Sequence, residues 1–189
     1  MPGNYYYFIA SLPHVNYGDK PPFSSNEFRA QCDSFLSRRD AALANCCNFD
    51  PKLIIETDKP TGSAFIDFIL LRERVVNQTL ANLRAAKLKR PSPVEHLLNM
   101  PRAESVAKAA FEMDDPLEAE LYLDRSRWGF LNEIVDDVSY FSVNTIFAYL
   151  FKMQLLERKQ VYDAIKGAEA YKEHYNTILK NFNNMVKED

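Results

Sequence analysis

Glycine is scarce in this 189-residue chain, with five in all. No pair of them has the spacing of a phosphate-cradling loop, which needs successive backbone donors in turns that glycine permits, so nucleotide binding by such a loop is excluded. The same shortage, together with the lack of strand-type alternation, leaves no hairpin signal. Cysteines number three, Cys32, Cys46 and Cys47. The set is odd and its adjacent pair is poorly disposed to bond with itself, so a reducing, cytoplasmic setting is expected instead of a disulfide framework. The three histidines, His14, His96 and His174, are isolated in sequence from one another and from the cysteines, and neither a soft-ligand metal site nor a cofactor is expected. No apolar run approaches the ~18 residues of a membrane span; "IFAYLF" (Ile146 to Phe151) meets polar residues within a turn. The opening "MPGNYYYFIASLP" has no basic residue ahead of its apolar part and carries three tyrosines, unlike a secretory leader.

What is present describes an ordinary folded protein. Hydrophobic residues make up 47% and charged residues 26%, and a chain of this length buries roughly 70% of its unfolded surface without staples. Paired acids occur at Asp114-Asp115 and Asp136-Asp137, but the first is better used as a helix cap and the second as a solvated helix end. Cys32 and Cys47 fall on apolar stripes, which favours packing over nucleophilic work. No set of convergent polar groups for catalysis is legible, and the protein is expected not to be an enzyme.

Along the chain, the signals are those of helices. "YYYFIASL" is continuous and aromatic, so it suits a buried strand or a helical turn alike, with core favoured over interface. In "PFSSNEF", Ser24 and Glu27 have capping-box spacing and Phe23 and Phe28 that of a hydrophobic staple; Phe28, Cys32 and Phe35 continue a buried stripe. Ser37 and Asp40 propose a second start leading to Ala41, Leu43 and Cys47. "NFDPKLIIETDKPTGS" is irregular, with Leu53 to Ile55 a candidate extended piece. Phe65, Ile69, Val76, Leu80 and Leu83, at spacings of four, seven, four and three, predict a long helix ending near Arg90, widened by Phe68, Leu71 and Val75. Ser92 and Glu95 form another capping box, and Pro101 opens a short helix through Val106 and Phe111. Asp115 caps a long amphipathic helix carrying Leu117, Leu121, Trp128, Leu131 and Val135 on one face. "VNTIFAYLFKMQLLERKQ" is apolar around most of its circumference, which suits a central helix. The last helix, after Gly167, shows Ala168, Tyr171, Tyr175, Ile178, Phe182 and Met185, a pattern that favours antiparallel packing on a neighbour. The expected fold is all-α, a helical bundle in two lobes: an N-terminal helical lobe with irregular loops over 1–90 and a C-terminal bundle over 91–189.

One stretch departs from the mean charge. The whole chain is -3, whereas "RERVVNQTLANLRAAKLKR" (Arg72 to Arg90) holds six basic residues against one acid. Arg84, Lys87, Lys89 and Arg90 cluster at the C-terminal end of the predicted helix, where cations favour the helix dipole by ~0.3–1 kcal/mol each. They could also meet an acidic protein surface. Nucleic acid is the third reading, although the aromatic residues of the same helix, Phe65 and Phe68, lie several turns away.

Four stretches carry a family resemblance. "YYYFIASLPHVNYGDKPPFSSNEF" and "IFAYLFKMQLLERKQVYDAIKG" resemble a bacterial family of uncharacterised proteins that is similar to a short form of the V/A-type ATPase C subunit, also called the d subunit. "VVNQTLANLRAAKLKR" resembles the element of that d subunit in which an asparagine precedes a Leu-Arg-Ala turn, here Asn77 and Leu83-Arg84-Ala85. "DPLEAELYLDRSRWGFL" is similar to the helix that opens one of its lobes, with Glu120 and Asp124-Arg125. The resemblance implies an all-helical, non-catalytic component or accessory of a V/A-type rotary ATPase, on the cytoplasmic side and peripheral to the membrane. It would couple central stalk to membrane rotor by protein-protein contacts, with Arg84, Lys87, Lys89 and Arg90 as the expected interface. A helical nucleic-acid-binding regulator using Arg84 to Arg90 is the alternative. The chain is much shorter than the three-lobed d subunit, and Pro13 and Gly18 interrupt what would be the first long helix.

Overall fold

A computed structural model of the protein describes residues 5–50, 60–93, 99–136, 141–162, 167 and 172–178. Among the described residues the helices run, in chain order, α1 (Tyr6–Ser11), α2 (Ser25–Phe35), α3 (Arg38–Cys46), α4 (Ala64–Lys87), α5 (Pro101–Phe111), α6 (Pro116–Asp136) and α7 (Val143–Val161). Residues 172–178 are also helical, and no strand occurs among the described residues. The protein is all-α. Leu53 to Ile55, Glu95, Tyr171, Phe182 and Met185 lie outside the described residues.

Local chemistry sets the helix ends. The Ser24 side chain accepts from the Glu27 N–H while Glu27 reaches back to the Ser24 N–H, the reciprocal capping box, and the Phe23 and Phe28 rings stack with centroids 5.5 Å apart as the staple requires. Ser37 accepts from the Asp40 N–H, Ser63 from the Ile66 N–H, and Asp115 from the Leu117 N–H. A carboxylate from another helix assists α2, because Glu157 of α7 accepts from both the N–H and the hydroxyl of Ser25 at 2.6 and 2.7 Å. α4 ends in a Schellman motif: Arg90 N–H bonds Ala85 O, Lys89 N–H bonds Ala86 O, and Lys89 holds the left-handed conformation at φ 54°.

α7 lies at the centre. α2, α3 and α6 pack on it, and ten of its residues are buried, Phe147, Leu150, Phe151, Met153, Leu155 and Leu156 completely. Each such side chain contributes about 1.5–3 kcal/mol relative to exposure. α6 runs antiparallel to α7, since Arg158 meets Glu120 and Lys152 lies over Trp128. α4 is antiparallel to α6, with Phe68 against Phe130 and Arg72 against Ser126. The buried apolar residues form two clusters. The larger joins α1, α2, α3, the first turns of α4, the end of α6, and α7. The smaller takes Val75, Val76 and Leu80 of α4, Ala103, Ala107 and Ala110 of α5, and Leu123 of α6. Each draws side chains from both sides of Pro91.

Three packing expectations are corrected. Phe35 is 62% exposed, since it closes α2 with one ring face stacked on Phe8 and the other in solvent. Phe68 is 43% exposed at the edge of a groove between α4, α5 and α6. Tyr175 and Ile178, expected on the apolar face of the last helix, are 51% and 66% exposed. "YYYFIASL" resolves as helix α1, which divides by face: Phe8 and Ile9 are buried, Tyr6 and Tyr7 exposed.

Candidate functional site

The long α4 stripe skips from Ile69 to Val76, and the α6 stripe from Leu121 to Trp128. In both gaps the missing position is an acid: Glu73, four residues after Ile69 and three before Val76, and Asp124, three after Leu121 and four before Trp128. Antiparallel packing of α4 on α6 brings the two gaps together and makes a layer of charge between the two apolar clusters. Glu73 is 2% exposed and Asp124 fully buried.

Six alternating charges follow one another through this layer. Arg72 Nη1 donates to Glu73 Oε1 at 2.7 Å, and Arg127 Nε donates to Glu73 Oε2 at 2.8 Å. Arg127 Nη1 donates to Asp124 Oδ1 at 2.6 Å, and Arg158 Nη2 of α7 donates to Glu120 Oε2 at 3.2 Å. The join between these halves is the weak one: Arg158 Nε stands 3.6 Å from Asp124 Oδ2, and neither atom makes a hydrogen bond among the described residues. Ser126 accepts from the other end of Arg72 at 2.7 Å, and Tyr162 Oη lies 3.0 Å from Arg158. Three arginines and three acids balance.

Burial dominates the electrostatics. It raises the Asp124 carboxyl above its ordinary range, and Arg127 and Arg158 offset this only in part. Burial works against the Arg127 charge too, yet Glu73 and Asp124 together outweigh it and hold that guanidinium above its ordinary value. The two sides of the contact differ because Arg127 bonds two acids, whereas Asp124 loses water at both oxygens and bonds through one. Arg72 is lowered by burial against the opposing pull of Glu73.

At its inner end the layer opens onto the groove, a space of about 620 Å³ bounded by α4, α5 and α6. The Arg72 guanidinium lies 4.7 Å over the Phe130 ring there, with Phe68 5.5 Å from Phe130. Arg102 and Glu133 form an exposed ion pair at the rim, 3.1 Å apart. A second cavity of about 390 Å³ lies between the loop after α1, α6 and α7, with Trp128, Asn132 and Lys152 in its wall. Among the described residues no three of His, Cys, Asp and Glu converge as metal ligands.

The residues expected at an interface lie elsewhere. Arg84, Lys87, Lys89 and Arg90 are all exposed at the end of α4. Lys87 is drawn toward α5, its ammonium 5.5 Å over the Phe111 ring. Of the α6 residues singled out in the sequence, Glu120 and Asp124 enter the charge layer, but Arg125 is exposed and the partner of Asp124 is Arg127.

Residues 66–182, more than half of the chain, match the model of a family described as "Protein of unknown function (DUF2764)". The chain belongs to the DUF2764 family. All six members of the charge layer fall inside the DUF2764 match, and α1, α2 and α3 fall outside it. No curated protein and no solved structure matches the chain. No helix among the described residues is long and apolar enough to cross a membrane.

Proposed function

We propose that the protein is a non-catalytic part or accessory of a V/A-type rotary ATPase, similar to its d subunit and working on the cytoplasmic face through contacts with the central stalk or rotor. The observation that carries this reading is the charge layer. Its members on α6, Glu120, Asp124 and Arg127, belong to a stretch that resembles the d subunit, its members on α4 stand just ahead of the other such stretch, and the layer ties three helices to one another. A part that passes force or position by shape needs helices that do not slide. Displacing α6 by one turn, about 5.4 Å, would strand buried charges without partners, so the alternation selects one register. The exposed basic end of α4, Arg84 to Arg90, offers an acidic partner a rigid surface beside α5.

Affinity purification of the tagged protein from detergent-solubilised membranes of its native host tests the reading. Recovery with the other ATPase components is expected, and recovery only as a free monomer overturns it. Reversing Arg84 and Lys87 to glutamate should weaken that recovery while the melting temperature stays nearly constant. Tight duplex DNA binding that collapses with rising salt would replace the proposal with the nucleic-acid reading.

A further inference from the structure

The α1 end of the molecule carries a second surface, independent of the charge layer and of the rotary ATPase reading. Tyr7 is 87% exposed, Phe35 62%, Tyr6 46% and Phe141 38%. Tyr6 lies 5.5 Å from Tyr7 and 4.5 Å from Phe141 by ring centroids, and Phe35 is held at the same helix through Phe8 of α1, on which it stacks at 4.8 Å. The Tyr5 hydroxyl joins α1 to α3 by accepting from the Ser37 N–H and donating to Asp40. The next two residues after Ser37 are Arg38 and Arg39, both exposed and, among the described residues, without a hydrogen bond or ion pair. They occupy the first two positions of a helix, where the dipole disfavours cations. Helix stability therefore gives no reason for them. The neighbouring acid, Asp40, is already engaged by the Tyr5 and Ser37 hydroxyls.

We infer that this surface, Tyr6, Tyr7 and Phe35 with Arg38 and Arg39, docks on an anionic lipid surface. Tyrosine rings with a polar tip, standing beside unpaired cations, match the headgroup layer of a membrane, where aromatic residues concentrate and basic ones meet acidic lipids. Tyr7 and Phe35 are more than half exposed, and none of these rings lines either cavity. A headgroup layer takes in protruding rings without needing a matching socket, which favours lipid over an acidic protein segment.

Sedimentation of the full chain with phosphatidylcholine vesicles, with and without phosphatidylglycerol, tests the inference. Binding is expected with phosphatidylglycerol and should fall as salt rises. Replacing Arg38 and Arg39 together by glutamine should weaken it by about fivefold per arginine. Tyr7→Ser with Phe35→Ser should weaken it at unchanged helix content, whereas R84Q with K87Q should leave it unaltered. The inference is overturned if the wild-type chain stays in the supernatant at low salt, or if binding survives the Arg38/Arg39 change and is lost with R84Q and K87Q. Loss of a protein complex in the Arg38/Arg39 variant without vesicle binding by the wild type would assign the surface to an acidic protein and equally overturn it.

Discussion

Replacing Glu73 by glutamine keeps the shape of the buried side chain and removes one charge. Glu73 takes one guanidinium on each oxygen, Arg72 at 2.7 Å and Arg127 at 2.8 Å, and is 2% exposed. Glutamine can accept from only one of them and turns its own N–H₂ toward the other. Arg127 keeps Asp124, but Arg72 keeps only the Ser126 hydroxyl and the Phe130 ring. The variant therefore holds a buried cation without an acid, a change that costs about 3–5 kcal/mol. Against a total stability on the order of 5–15 kcal/mol this is a large share. It corresponds to a fall in melting temperature of roughly 6–20 °C for a chain of this size. Urea and thermal unfolding followed by circular dichroism measure it, and a loss below about 1 kcal/mol would refute the account of the layer. A companion variant, Arg72→Met, Glu73→Leu, Asp124→Leu and Arg127→Leu together, removes two charges of each sign and separates charge from packing, with Arg158 still paired to Glu120. It should recover wild-type stability or exceed it, since apolar replacements of buried ion networks are often neutral to stabilising; a quadruple variant as unstable as E73Q would place the cost in packing.

Lys89→Gly should stabilise the protein by about 1 kcal/mol in the same unfolding assay, because Lys89 holds φ 54° in the Schellman turn where glycine carries no steric penalty. With a coloured thiol reagent, Cys46 alone should react in the native state and all three cysteines in denaturant. Burial pushes the Cys32 thiol up to about 12 and Cys47 well above its ordinary value, while Cys46 is exposed; three rapid native reactions would contradict the packing of α2 and α3. Hydrogen bonds from the Ser24 N–H and then its hydroxyl hold the Glu27 carboxyl below its ordinary value of 4.5. The stabilisation from this depressed carboxyl is fully present above that value and fades as pH falls through the folded one, so the advantage of wild type over Glu27→Gln in urea unfolding should shrink on acidification.

Much of the fold was legible because its signals are local. A hydroxyl three residues ahead of a backbone donor marks a helix start wherever the helix later packs, and proline ends or begins a helix through its own ring. Ser24 with Glu27, Ser37 with Asp40, Asp115 and Pro101 thus declared α2, α3, α6 and α5. The apolar circumference of Val143–Val161 placed the core, since a helix without a polar face must be enclosed. The candidate site was half legible. Spacings of seven in two stripes marked where Glu73 and Asp124 sit, yet read alone each looked like a polar interruption. Their partners could not be read, because Arg127 reaches Glu73 across 54 residues and Arg158 reaches Glu120 across 38.

The sequence by itself determined where helices begin and end and which of their faces are apolar, since capping, proline geometry and helical periodicity act within a few residues of the chain. Only the tertiary structure decided that the two gaps coincide, that α1 is a helix with two tyrosines outward, and that Phe35 is exposed. Those outcomes follow from how whole helices settle against α7 to satisfy both apolar clusters at once, a condition that no single segment contains.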